Sequence, residues 1–140
     1  MKLELKYLAA YFHYDLEVRS DDKNYTLIGI SKSNVSLDHE IYLSFITNIS
    51  KIKPILRPLE DLFFNMNIEN ESIKPFEYLE DFADTEIERM FLDIIKNQNS
   101  KFILDKIQYA PFSFISKFLE WHFDIFGLID AGLAVDINCL

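Results

Sequence analysis

Hydrophobic positions change their period twice along this chain. Near the start, Leu3, Leu5, Leu8, Ala9 and Phe12 follow helical spacing and predict a short helix ending near Tyr14. The period then drops to two. Leu16-Glu17-Val18-Arg19 alternates, Ser20-Asp21-Asp22-Lys23-Asn24 is a cluster of turn residues, and Tyr25-Thr26-Leu27-Ile28-Gly29-Ile30 is rich in strand formers, which together predict a hairpin. Ser31-Lys32-Ser33-Asn34 is the next turn signal, followed by strands over Val35 to Leu37 and Ile41 to Ile46. Ile52 to Leu56 completes an antiparallel meander of four or five strands, and Pro54, which has no N–H to give a ladder, places this last strand on an edge.

From Pro58 onward the spacing is helical. Leu59, Leu62, Phe63 and Met66 predict a short helix with Pro58 at its first turn. Phe76, Leu79, Ala83, Ile87, Met90 and Ile94 recur at intervals of three and four, predicting one helix from about Pro75 to Lys96. Asn97-Gln98-Asn99-Ser100 breaks it, and a short helix from Lys101 to Tyr109 ends before Pro111. A last helix starts at Pro111, with Ser113, Ser116, Lys117, Glu120, Asp124 and Gly127 on one arc and Phe112, Phe114, Ile115, Phe118, Leu119, Phe123, Ile125 and Phe126 over the rest. An apolar arc so wide needs contacts on two sides, so this helix is expected at the centre, between the sheet and the preceding helix. The tail Ala131 to Asn138 adds a short strand or an extended cover. With no repeat and no linker, the expectation is one α+β domain over residues 1–140, a small antiparallel sheet in the N-terminal half covered on one face by C-terminal helices.

Composition is consistent with a self-sufficient core. At 140 residues, 49% of them hydrophobic, the chain can hide roughly 70% of its unfolded surface without a disulfide or metal. The lone Cys139 cannot form an internal disulfide, no apolar run reaches membrane length, and the N-terminus lacks a signal-peptide pattern, so a cytoplasmic protein with no membrane segment is expected.

Charge changes the picture more. The formal net charge is -9, from 23 acids and 14 bases. From Glu69 to Asp93 acids far outnumber the two bases, Lys74 and Arg89. On one continuous helix Glu77, Asp81, Asp84 and Glu88 fall within about 60° and follow one another at roughly 4.5 to 6 Å, with Glu80 beside them. Each like-charge step costs about 0.2–0.5 kcal/mol, so the row is either a stripe kept for a basic partner or the solvated face of an acidic protein. Ile41 to Leu59, in contrast, holds no acid but carries Lys51, Lys53 and Arg57, which could touch a nucleic-acid backbone or act as lysines that protect a sheet edge. The overall acidity disfavours direct nucleic-acid binding and binding to anionic lipid.

Catalytic signatures are missing. His13, His39 and His122 are far apart in sequence, and no cysteine pair exists to build a zinc site. No Gly-x-Ser-x-Gly elbow is present, and glycines at 29, 127 and 132 only cannot write a phosphate loop. Neither an enzyme nor a metal or cofactor is expected. His122 falls on the apolar side of the last helix, where a histidine bonded to backbone or a carboxylate is the plain reading. Thirteen Phe, seven Tyr and one Trp exceed what the core must hold, so aromatic surface is expected to serve a partner or self-association.

Lys53-Pro54-Ile55-Leu56-Arg57-Pro58-Leu59-Glu60-Asp61-Leu62, Trp121-His122-Phe123-Asp124-Ile125-Phe126-Gly127-Leu128-Ile129, Gly132-Leu133-Ala134-Val135-Asp136-Ile137-Asn138 and the opening Met1 to Leu8 resemble small accessory proteins encoded in phages, prophages and mobile elements. The likeness covers about a third of the chain and leaves out Ile68 to Gln108, where the acidic row lies. It implies a non-enzymatic inhibitor of host defence, such as an anti-CRISPR protein acting on a type VI-B RNA-guided nuclease or its guide RNA complex in a bacterial cytoplasm. Guide and target lie in positively charged channels in such nucleases, a surface the acidic row would complement. Two other classes remain open: a self-associating assembly component of a phage-like element, and a small RNA-binding regulator using Lys51, Lys53 and Arg57.

Overall fold

A computed structural model describes residues 1–39 and 44–140. The fold is α+β, and the chain divides into two compact units, Met1–Arg57 with Leu119–Leu140, and Pro58–Phe118.

The first unit opens with α1 (Leu5–Tyr11), whose inward residues Leu8 and Tyr11 are fully buried. Strands β1 (Glu17–Ser20), β2 (Lys23–Ser31), β3 (Asn34–Asp38) and β4 (Phe45–Asn48) form the expected meander. Of the expected strand over 41–46, residues 41–43 lie outside the described residues, while Phe45 and Ile46 are in β4, which runs on to Asn48. Asp21 and Asp22 both take positive φ between β1 and β2, the signature of a tight two-residue hairpin turn whose twist matches the strands. Ile28 bulges out of the β2–β3 ladder.

The fifth strand departs from expectation. A 3-10 turn over Ile49–Lys51 leads β5 (Lys53–Leu56) to the far side of the meander, where it pairs with β1 and not with β4. Near the C-terminus β6 (Val135–Asp136) then pairs parallel with β5, giving the order β4-β3-β2-β1-β5-β6. Strand β5 is therefore interior over Ile55 and Leu56 and not an edge strand along its whole length; Pro54 lies opposite Val18 just before β6 begins opposite Ile55, so its missing N–H interrupts no parallel pair. The tail does add the short strand.

The last helix is also shorter than its apolar arc suggested. It runs Phe112–Glu120 and stops because His122 adopts φ 61°, which turns the chain out of the helix. Arg57 N–H then donates to the His122 carbonyl and Asp124 N–H to the Arg57 carbonyl, each at 2.8 Å, replacing helical bonds with a strand-like pair. Phe123, Asp124 and Ile125, placed by periodicity on a helix, lie in this turn instead. Tyr11 Oη donates to the Phe123 carbonyl at 2.6 Å and accepts from Ile125 N–H at 3.3 Å, which fixes the turn on α1.

In the second unit, Leu59–Phe63 is a 3-10 helix and not the short α-helix expected. It leads into a hairpin that the spacing did not reveal, β7 (Met66–Ile68) with β8 (Glu71–Ile73), turned through Glu69 and Asn70 at positive φ. Then come α2 (Pro75–Phe82), α3 (Glu86–Ile95) and α4 (Ser100–Lys106), before the last helix, α5 (Phe112–Glu120). Leu62, Leu79, Ile95, Ile103, Phe114 and Phe118 are fully buried and form the centre of this unit. Among the described residues no helix is long and apolar enough to cross a membrane.

Candidate docking surface on α2 and α3

The single acidic helix expected from Pro75 to Lys96 is two helices. Pro75 opens α2 at a position where its missing N–H costs nothing, with Lys74 before it. Helix α2 ends when Ala83 takes an extended conformation at ψ 119°. Thr85 then starts α3 with a reciprocal cap: its Oγ1 accepts from Glu88 N–H at 3.2 Å, and Glu88 Oε1 accepts from Thr85 N–H at 3.0 Å. The sequence signal was present as Thr85-Glu86-Ile87-Glu88, a threonine followed three residues later by a glutamate. Helical spacing on both sides of it hid the break.

This break overturns the placement of Glu88. Rather than closing a line of exposed charge, Glu88 is buried and fully engaged. Its Oε1 also accepts from Asp84 N–H at 3.2 Å and Thr85 Oγ1 at 2.8 Å, while Oε2 accepts from Ser113 Oγ of α5 at 2.9 Å. Hydrogen bonds from Thr85 and Ser113 to the ionised form hold its carboxyl below the ordinary carboxylate range. Glu88 is thus a joint between α3 and α5. Glu77, Glu80, Asp81 and Asp84 are exposed, and Glu77 is paired with Lys74 of the same chain at 3.3 Å. Glu86 and Asp93, on α3, are exposed too.

Thr85→Ala removes one half of the cap and is expected to cost about 1 kcal/mol, or roughly 3 °C of melting temperature for a chain this size. The linked pH effect has a definite sign. Because the folded state lowers the Glu88 pKa, its contribution is complete above the ordinary value of 4.5 and is lost as pH falls through the folded value. Glu88→Gln should flatten the acid limb of a stability-versus-pH curve measured by urea denaturation.

The break also resets the phase of the apolar residues. Phe76, Leu79 and Ala83 are buried as their spacing suggests, but Ile87, Met90 and Ile94 are 68%, 55% and 47% exposed. Helix α3 buries Phe91, Leu92 and Ile95 instead. Its apolar arc spans about 200° at 100° per residue, and only the half holding Phe91, Leu92 and Ile95 faces the core. Ile87, Met90 and Ile94 form an outward row along about 10 Å of axis, with Glu86 and Asp93 next to it on the helix circumference. On α2, Tyr78 and Phe82 are exposed and stacked at 6.3 Å between centroids, with Lys117 Nζ 5.2 Å from the Tyr78 ring. Surplus aromatic surface is present here and at Phe64, Tyr109 and Phe112.

The basic candidates do not form an edge strip. Lys51 is exposed on the 3-10 turn, Lys53 is exposed at the start of strand β5 opposite Arg19, and half-buried Arg57 lies at the other end of β5, about 13 Å from Lys53 at strand rise.

No three His, Cys, Asp or Glu side chains among the described residues converge as metal ligands. His122, half-buried, has its Nε2 against the Tyr14 carbonyl, and desolvation lowers its pKa. His13 is exposed, and Cys139 is free and exposed. A cleft of about 460 Å³ in the second unit is lined by Glu60, Phe63, Phe64, Asn97, Gln98 and Asn99, which offer no nucleophile with a base. No protein family, curated protein or solved structure was found to match this chain.

Proposed function

We propose that this chain is a non-enzymatic binding protein that inhibits a basic, nucleic-acid-processing host protein, in the manner of a phage-encoded anti-CRISPR protein acting on an RNA-guided nuclease. The observation that supports this reading is the row Ile87, Met90 and Ile94, exposed on α3 and bordered by Glu86 and Asp93, with Glu80, Asp81 and Asp84 exposed on and after α2. Apolar residues supply the area removed from water, and the surrounding carboxylates select a cationic partner and steer its approach. Carboxylates alone would be the solvated face of an acidic protein. An apolar row bordered by them has the anatomy of an interface, an apolar centre within a charged rim.

The test uses purified chain and a candidate effector, a type VI-B nuclease loaded with guide RNA, with binding and target cleavage both measured. Glu80→Lys, Asp81→Lys and Asp84→Lys together are expected to slow association at least 10-fold at low salt, with a smaller effect at high salt. Met90→Glu is expected to speed dissociation by 10-fold or more. Full inhibition by both variants would refute this surface. No binding by the native chain to any guide-loaded nuclease or other basic nucleic-acid enzyme would refute the partner class.

A further inference from the structure

Strand β4 ends the sheet, and among the described residues no strand pairs with its outer side. The phase of its ladder follows from one bond. Ile49 N–H donates to the Ser33 carbonyl at 2.9 Å, one step beyond the pair Asn34 with Asn48. Bonded and non-bonded pairs alternate in an antiparallel ladder, so Thr47 and Phe45 exchange bonds with Val35 and Leu37 of β3. Ile46 and Asn48 consequently point their N–H and C=O groups away from the sheet. The Ile46 side chain, opposite Ser36, is 71% exposed, on the face opposite to that of buried Val35 and Leu37.

Proteins usually blunt such an edge with lysine, proline, an inward charge or a bulge. Ser44-Phe45-Ile46-Thr47-Asn48 has no charge and no proline, and the ladder of β4 with β3 runs without a register shift. The sheet's other end is only the two-residue β6.

We propose that β4 pairs antiparallel with β4 of a second copy of this chain about a two-fold axis. With Thr47 opposite itself, Ile46 of one copy faces Asn48 of the other, so the residues carrying outward N–H and C=O groups meet each other in both directions. Charge favours a copy at this place over any other. A net charge of -9 repels a second molecule, but the run from Ile41 to Leu59 holds no acid, so no carboxylate of one β4 faces a carboxylate of the other. A strand of four residues buries less than the roughly 1,000 Å² of a firm interface, so the dimer is weak and depends on concentration. This inference is independent of the docking role of α3.

Sedimentation of the purified chain from micromolar to submillimolar concentration is expected to show the mass rising from 16.5 kDa toward twice that value. Hydrogen exchange on the same samples should slow several-fold at Ile46 and Asn48 as concentration rises, while Phe45 and Thr47, already bonded to β3, stay unchanged. Ile46→Pro, which removes an N–H that points away from β3, and Ile46→Lys should both leave a monomer. A strictly monomeric native chain, exchange at Ile46 and Asn48 indifferent to concentration, or a dimer that survives both substitutions would overturn the proposal. So would a dimer lost in Met90→Glu but kept in Ile46→Lys, which would place the contact on α3.

Discussion

Asp124→Ala is expected to lower unfolding free energy by about 3 kcal/mol or more, and the melting temperature by roughly 10 °C. Asp124 is buried in the turn that follows α5, where its carboxylate accepts from Leu128 N–H at 2.8 Å and Ile129 N–H at 2.9 Å. Alanine leaves both donors without an acceptor, and each bond to a charged acceptor is worth about 1.5–3 kcal/mol. Asp124→Asn keeps one acceptor oxygen and should lose about half as much. Thermal and urea denaturation measure both, and a loss under 1 kcal/mol for Asp124→Ala would mean that water reaches this turn. The pH dependence runs opposite to that of Glu88. Burial raises the Asp124 pKa despite the backbone bonds, so the folded state keeps the proton to higher pH than the unfolded state. Its contribution is therefore complete below the ordinary value of 3.8 and falls as pH rises through the folded value, a slope that Asp124→Asn removes.

The same turn shows why the end of the last helix was illegible. Every second or third residue from Phe112 to Phe126 is apolar, and a buried turn in that composition looks like a continued helix. What stops it is the positive φ of His122 and a strand-like pair with Arg57, 65 positions earlier, a tertiary contact with no local signature. The β1–β4 meander was legible because its turns carry their own chemistry, Asp21-Asp22 in one and Lys32-Ser33 in the next. Strand β5 was legible as a strand but not in position, because local alternation does not say which edge a strand joins. Glu77, Glu80 and Asp81 lie exposed on α2, where spacing put them, but Asp84 falls in the break between α2 and α3, and spacing alone placed the buried Glu88 among them. Thr85 could have corrected that, since a capping threonine in the middle of a helical pattern marks a start. The exposed row of Ile87, Met90 and Ile94 could not be read at all, because an apolar residue's periodicity is the same whether it faces a core or a partner.

That ambiguity is resolved by comparing two neighbouring residues of α3. Phe91 is buried with its ring 6.0 Å from that of Phe114 on α5, tilted by 46°. Phe91→Ala should leave a cavity costing about 3–5 kcal/mol, on the order of 10–15 °C in melting temperature. Met90, one position earlier, points outward, so Met90→Glu should change stability by no more than about 0.5 kcal/mol. Binding should respond the other way at constant temperature: Met90→Glu abolishes tight partner binding in a stably folded chain, while Phe91→Ala weakens binding only as far as it loosens α3. Calorimetry of the two variants, with binding measured well below both melting points, separates the cases. If Met90→Glu melts as early as Phe91→Ala, the row is covered by the molecule itself, and the docking surface must be sought away from α3. If Met90→Glu is stable and still binds, the row is exposed but idle, and the carboxylates of α2 would have to account for recognition alone.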